Sequence, residues 1–377
     1  MIVIRSRLRL GLALLLGGVA SSWAATAPPA PHKPAPRARF TKTEREAATV
    51  PGFPSVRFFG DDANAYRAAL PDKPGPWLAL SAGGEDGAFG AGFLFGLDQS
   101  GKRPPYSVIT GVSTGSLIAT YAFAGSRYDR DLKSAYTGVT SADVFEVGRT
   151  PDSLVDVWPF RKLIAKRVTP ELLRAVAAQY RRGRRLFVVT TDLDAGRPVV
   201  WNMGAIAKHG GARALALFRR VLIASSSIPG MFPPVVIKTA SNGKPIEELY
   251  ADGGVSAPFY LAPESVLAQA HGAVPTTSIQ IVINAKLGPD FWFTKRNTLA
   301  VLGRALGLGL SAGARFEIAN VRRWATRARV PVSIAAINVG FKARSHGAFD
   351  PKYMKALFTV GEKDARKSAA SAPQLTR

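Results

Sequence analysis

From Trp77 onward, short apolar runs end in glycine-rich turns and give way to longer stretches whose apolar positions recur three and four residues apart. The short runs read as buried strands and the longer stretches as helix faces. "WLALS" is the first such strand, and "GAFGAGFLFGL" after it sets Phe89, Phe93 and Leu97 on one helical face. "YSVIT" followed by "GSLIATYAFAG" repeats the order. "PELLRAVAAQYRRG" has a Pro near its start and a Gly past its end, the two boundary signals of a helix. "RRLFVVTTDL" and "RPVVWNM" read as strands, "GARALALFRRVLIASSS" as a helix, and "EELYADGG" as a strand that ends in a turn. "TSIQIVINA" is a buried strand, residues 297–328 one long helix, "VSIAAINV" the last strand and "DPKYMKALFTVG" a closing helix. Strands alternating with helices over this distance predict an α/β fold: a mostly parallel central sheet covered on both faces. No internal repeat is present.

The flanks differ. Arg5, Arg7 and Arg9, an apolar run from Leu10 and small residues before Ala24 predict a signal peptide over residues 1–24 and hence export. The apolar run is short for an uncleaved membrane anchor. Residues 25–75 are rich in Pro and Ala at their start and predict an extended tether and N-terminal extension. The folded domain is expected over residues 76–361, with a polar, frayed tail over 362–377.

Charge narrows the partners. The net charge of +24 favours anionic ones, acidic lipid head groups among them. The basic residues are dispersed, with tight clusters only at "YRRGRR" and "NVRRWATRAR", and neither belongs to a nucleic-acid motif. No specific nucleic-acid partner is expected. "FWFTKRN" (Phe291–Asn297) joins three aromatics to Lys295 and Arg296, which suits an anionic membrane surface if the segment is exposed. With no Cys and only four His (His32, His209, His271 and His346), neither a disulfide framework, a lipid-attachment cysteine nor a metal site is expected.

Three predicted strand exits carry candidate chemistry, which is where ligands bind in open α/β sheets. "LALSAGGEDGAFGAG" bares backbone N–H groups at Gly83 and Gly84 ahead of a helix N-terminus. It lacks the Lys-Ser/Thr of a P-loop, and Glu85 and Asp86 would oppose a pyrophosphate, so an oxyanion hole fits better. "TGVSTGS" places Ser113 between Gly111 and Gly115 in the strand–turn–helix context of a nucleophile elbow. A second G-x-S-x-G, "GLSAG" at Gly309–Gly313, falls inside the long helical pattern and reads as small residues on a packed face, so Ser311 is set aside. "YADGGV" ends a strand at Asp252 before Gly253 and Gly254, a turn whose carboxylate can serve as a base.

Glycine loop, G-x-S-x-G and Asp-Gly-Gly in this order resemble the patatin-like phospholipases. The stretches "TTDLDAGRPVVW" (Thr190–Trp201), "ASSSIPGMFPPV" (Ala224–Val235) and "FDPKYMKALF" (Phe349–Phe358) are similar to ones carried by the bacterial branch, so the resemblance spans Trp77 to Gly361. It implies a patatin-like three-layer α/β/α fold and hydrolysis of lipid or other acyl esters without a cofactor. It further implies Ser113 as nucleophile, Asp252 as base, and an oxyanion hole at Ala82, Gly83 and Gly84, with Gly111 and Gly115 shaping the elbow and Gly253 and Gly254 the base turn. Two departures stand out. Ala82 replaces the first glycine of the family's loop, and Asp86 stands where a basic residue is usual; Asp86 is expected to face outward and cap the next helix.

Two rivals remain at this level. A Ser-His-Asp hydrolase would draw on His271 or His346, both of which follow Asp252. A lipid-binding envelope protein on the same fold, its hole disabled by Asp86, would not turn over at all.

Overall fold

The computed structural model describes residues 36–150, 152–269 and 274–371; the expected signal peptide, His271 and the end of the tail lie outside them. The chain begins with α1 (Lys42–Ala47), β1 (Arg57–Phe59), α2 (Ala63–Ala69), β2 (Gly75–Leu80), α3 (Gly87–Gln99), β3 (Val108–Val112) and α4 (Thr114–Ala124). Then come α5 (Asp129–Thr137), α6 (Ser141–Val144), the ribbon β4 (Glu146–Thr150) and β5 (Ser153–Asp156), α7 (Trp158–Arg167) and α8 (Pro170–Arg181). β6 (Arg185–Asp192), β7 (Arg197–Asn202), α9 (Met203–His209), α10 (Gly211–Ser225), β8 (Val235–Ser241) and β9 (Lys244–Asp252) follow. The last elements are α11 (Glu264–Leu267), β10 (Thr276–Lys286), α12 (Thr298–Ala328), β11 (Val332–Ile337) and α13 (Pro351–Ser371).

The main sheet has the order β1-β7-β6-β3-β2-β10-β11. Its five strands from β6 to β11 are mutually parallel. Antiparallel β7 and β1 finish one edge, and β9, paired with β8, joins β6 from the other direction. Side chains alternate between the faces as the pleat requires. In β2, Leu78 and Leu80 enter the core with α3, α4, α8 and α10, whereas Trp77 and Ala79 enter a second core with Tyr66, Phe259 and Trp324. Two separate cores on the two faces of one sheet make the expected three-layer α/β/α architecture.

Both flanks depart from the expectation. α13 runs past Gly361 to Ser371, because Ala365 is fully buried and packs on Gly96 of α3. The frayed tail therefore does not begin at residue 362.

The tether, too, is folded from Thr41 on. Thr41 caps α1 in a reciprocal box with Glu44. Arg45, buried on that helix, places Nε 2.5 Å from Asp192 Oδ2 and 3.3 Å from Glu248 Oε1. Arg57 bonds Glu248 and the Tyr250 hydroxyl, and β1 pairs with β7. The polar composition of "TKTEREA" concealed this: its Arg45, like Arg57 beyond it, is drawn in by carboxylates that the sheet has already buried at Asp192 and Glu248.

Candidate active site

Pairing along β6 brings two distant residues together. β3 runs beside β6 as far as Val112 opposite Val189. β9 arrives along the same edge in the reverse direction, with Asp252 opposite Thr190. The two strands therefore meet end to end, and Ser113, the residue after β3, faces Asp252, the last of β9. Ser113 Oγ donates to Asp252 Oδ2 at 2.5 Å, and each residue is only 4% exposed.

Ser113 holds φ 54° and ψ −126°, a region that costs a non-glycine residue about 1 to 3 kcal/mol. A serine ahead of a helix ordinarily bonds the N–H groups of the first turn. Here it makes no such bond, since the strained backbone turns its hydroxyl to the carboxylate. The turn is held from below: the Ser113 N–H donates to Ser225 Oγ at 3.0 Å, and Ser225 Oγ donates to the Val189 carbonyl at 2.7 Å. Ser225 lies within "ASSSIPGMFPPV", but nothing local in that stretch marks its part in the elbow.

Asp252 is poised. Burial pushes its carboxyl up to about 7, against the opposing effect of the bonds from Ser113 Oγ and, at 2.7 Å, the Gly254 N–H. Gly253 packs on the Val189 carbonyl, and Gly254 supplies the N–H that holds the carboxylate. Gly111 packs against Gly115, and Gly115 against the carbonyls of Leu80 and Ser81, which sets the elbow beside the glycine loop.

That loop needs one correction. The Ala82 N–H donates to the Pro258 carbonyl at 2.9 Å, so Ala82 has no N–H left for an oxyanion. The Gly83 and Gly84 N–H groups have no acceptor among the described residues. Gly83 is required by a close approach: a Cβ there would lie 2.2 Å from the Asn284 carbonyl oxygen. Buried Asn284 in turn ties the loop down, donating to the Ser81 carbonyl and accepting from the Gly90 N–H. Asn284 is a second residue that the strand pattern "TSIQIVINA" did not single out.

Asp86 does not face outward as a cap. It makes no capping bond, is half-buried, and accepts the Tyr353 hydroxyl at 2.5 Å. Burial pushes its carboxyl up to about 7, and neighbouring Glu85 adds to the rise. The dense packing of α13 on α3 brings Tyr353 over the loop and turns the carboxylate in.

A cleft of about 850 Å³, counting its open mouth, starts at Ser113 and Gly84. Its walls are mostly apolar, among them Leu117, Tyr121, Phe160, Ile164 and Phe232. Ser226, whose buried hydroxyl has no partner among the described residues, also lines it and offers a polar contact beside the apolar walls. Leu117 and Tyr121 stand one and two turns along α4 from Ser113, so the cleft follows that helix for about 12 Å.

The remaining candidates lie elsewhere. His346 is exposed on the loop before α13, its N–H bonded to Asp350. Ser311 is half-buried in the middle of α12 beside exposed Ala312, so "GLSAG" is no elbow, and its face is less packed than expected. Among the described residues no cluster of His, Cys, Asp or Glu could hold a metal.

No curated protein sequence matches the chain. A solved structure, VipD from Legionella pneumophila, is similar at 11% identity and a TM-score of 0.39, over 80% of this chain and 68% of that one. A family match, to the patatin-like phospholipases, covers residues 78–263, the span that contains the glycine loop, Ser113 and Asp252. Residues 78–263 therefore form a patatin-like phospholipase domain.

Proposed function

We propose that this protein is an exported serine acyl hydrolase that cleaves carboxylic-ester bonds of lipids through Ser113 and Asp252. The observation that carries the reading is the 2.5 Å bond from Ser113 Oγ to a buried carboxylate at the head of an apolar cleft. The family is one of lipid hydrolases, which makes a lipid ester the substrate class; export rests on residues 1–24 of the sequence.

In this mechanism Ser113 Oγ attacks the ester carbonyl carbon while its proton passes to Asp252 Oδ2. The N–H groups of Gly83 and Gly84 bind the oxyanion, and one such donor is worth about 3 to 4 kcal/mol in the barrier. Collapse breaks the C–O bond, and Asp252 returns the proton to the leaving alcohol. Water then attacks the acyl-enzyme, giving up a proton to Asp252, which passes it to Ser113 Oγ as the acyl C–O bond breaks and the fatty acid leaves. The acyl chain lies in the cleft along α4.

A fluorophosphonate probe tests this directly. An adduct on Ser113, located by peptide mass spectrometry and absent from Ser113→Ala, is the expected result. Folded protein that takes up no probe would favour the lipid-binding alternative and overturn the hydrolase.

The two raised carboxyls set the pH profile. Asp252 must be ionised to act as base, so kcat/KM is expected to climb as pH rises through about 7. Asp86 gains its charge over the same range, on the loop that binds the oxyanion, and is expected to oppose further gain at higher pH. Asp86→Asn should raise the plateau reached at high pH and keep the acid limb. A profile that is flat for about two units either side of 7 would show that neither carboxyl titrates as described. Stability should move the other way. Both folded carboxyls bind protons more tightly than the unfolded ones, so the folded state loses ground as pH rises from about 4 to about 7.

A further inference from the structure

The solvent face of α12 is apolar over the helix's first half. Val301, Ala305, Leu308, Ala312 and Phe316 follow one another at intervals of three and four residues, which sets them on a single stripe about 22 Å long, and all five are exposed. The opposite face packs inward through Ala314, Ile318 and Val321. Just ahead of the helix, Phe291 and Phe293 are 85% and 80% exposed, and Trp292 is 42% exposed. Among the described residues, six of the eleven large apolar side chains left in solvent therefore fall in this one stretch.

Charge supplies the second observation. Residues 291–316 hold Lys295, Arg296, Arg304 and Arg315 and not one Asp or Glu. Arg344 adds a guanidinium 5.4 Å from the centre of the Trp292 ring. α12 also reaches the site: Leu302 abuts Gly230, on the loop between Ile228 and Phe232 of the cleft, and Leu310 abuts Gly254 beside Asp252. No helix among the described residues is long and apolar enough to cross a membrane.

We propose that residues 291–316 dock the protein on an anionic lipid bilayer, with the aromatics at the head-group boundary, α12 lying in the plane of the interface and the basic side chains on acidic head groups. An apolar stripe whose own charged side chains are all cationic has the character of an interfacial element, although Asp290 and Glu317 flank it at either end. A soluble partner surface would have to be both apolar and acidic to match it. Binding depends on this surface alone; that it delivers substrate to Ser113 rests on the hydrolase reading above.

Vesicle flotation of the full chain in a Ser113→Ala background separates the two, because the vesicles then stay intact. Binding to phosphatidylcholine vesicles containing phosphatidylglycerol is expected to exceed that to phosphatidylcholine alone by at least about tenfold. Phe291→Ser, Trp292→Ser and Phe293→Ser combined should abolish the difference, and Lys295→Glu with Arg296→Glu should reduce it by about tenfold without touching the aromatics. In the Ser113 background, both variants should hydrolyse a short soluble ester at the parental rate, which shows that they are folded. Unchanged flotation of both variants, equal binding to neutral vesicles, or a dimer that the aromatic variant dissolves while the parent ignores vesicles would each overturn the proposal. Loss of soluble-ester hydrolysis in the parent would count against the hydrolase reading only.

Discussion

Asp252→Asn is expected to lower kcat/KM for a carboxylic ester by at least about a thousandfold, at unchanged stability or better. The amide keeps the shape of the carboxylate and can still accept the Gly254 N–H bond, so the turn after β9 has no reason to move. It cannot take a proton from Ser113, and among the described residues the Ser113 hydroxyl bonds no other side chain. The serine is left an alcohol, whose intrinsic reactivity toward an ester is poor. Stability should not suffer, since the buried carboxyl already pays for its desolvation with a pKa near 7. Substrate binding through the cleft is untouched, so the loss should fall on kcat with KM nearly constant. Retained activity would assign the base to a different group, and His346→Ala combined with His271→Ala would then be the next variant to assay.

The largest expected effect on stability belongs to a residue far from the cleft in sequence. Arg45→Ala should cost about 3 to 5 kcal/mol, the usual penalty for removing one partner of a buried ion pair. Asp192 and Glu248 are fully buried, and Arg57 compensates Glu248 without reaching Asp192. Asp192 would keep the N–H bonds of Asp194 and Ala195, which soften the loss but bring no charge. The consequence should extend to the site, because Arg45 also bonds Tyr250, two residues before Asp252 on the same strand. Urea unfolding measures the first effect, and kcat of the folded fraction the second. A change below about 1 kcal/mol would mean that α1 contributes no more than a surface ion pair and that a loosely attached extension is the better description.

Asp86 illustrates how far local rules reach. Its position at the start of α3 obeys the preference for acid in a first helical turn, and that preference predicts an outward cap. The partner that decides otherwise, Tyr353, comes from α13 at the other end of the chain. Ala82 is similar: its N–H looks available at a strand exit, and only the carbonyl of Pro258, on the loop after β9, takes it. α12 shows the converse case. Its helical spacing was plain, but an apolar helix read in isolation is expected to bury its apolar side chains, and which of its faces meets the sheet depends on the neighbours.

The sequence by itself determined the alternation of strands and helices, the elbow at Ser113, the turn at Asp252 and the glycine loop. Each of these is a local signal: a hydrophobic period or a glycine acts within a few residues, and so it survives in a linear reading. Tertiary structure alone decided that Ser113 meets a carboxylate 139 residues away. That meeting depends on two strands ending head to head along β6, and strand register is set by cores and pairings that form only when the whole sheet does. The folded N-terminal extension and the exposed stripe of α12 were decided in the same way, since burial belongs to the assembled fold and no residue carries it alone.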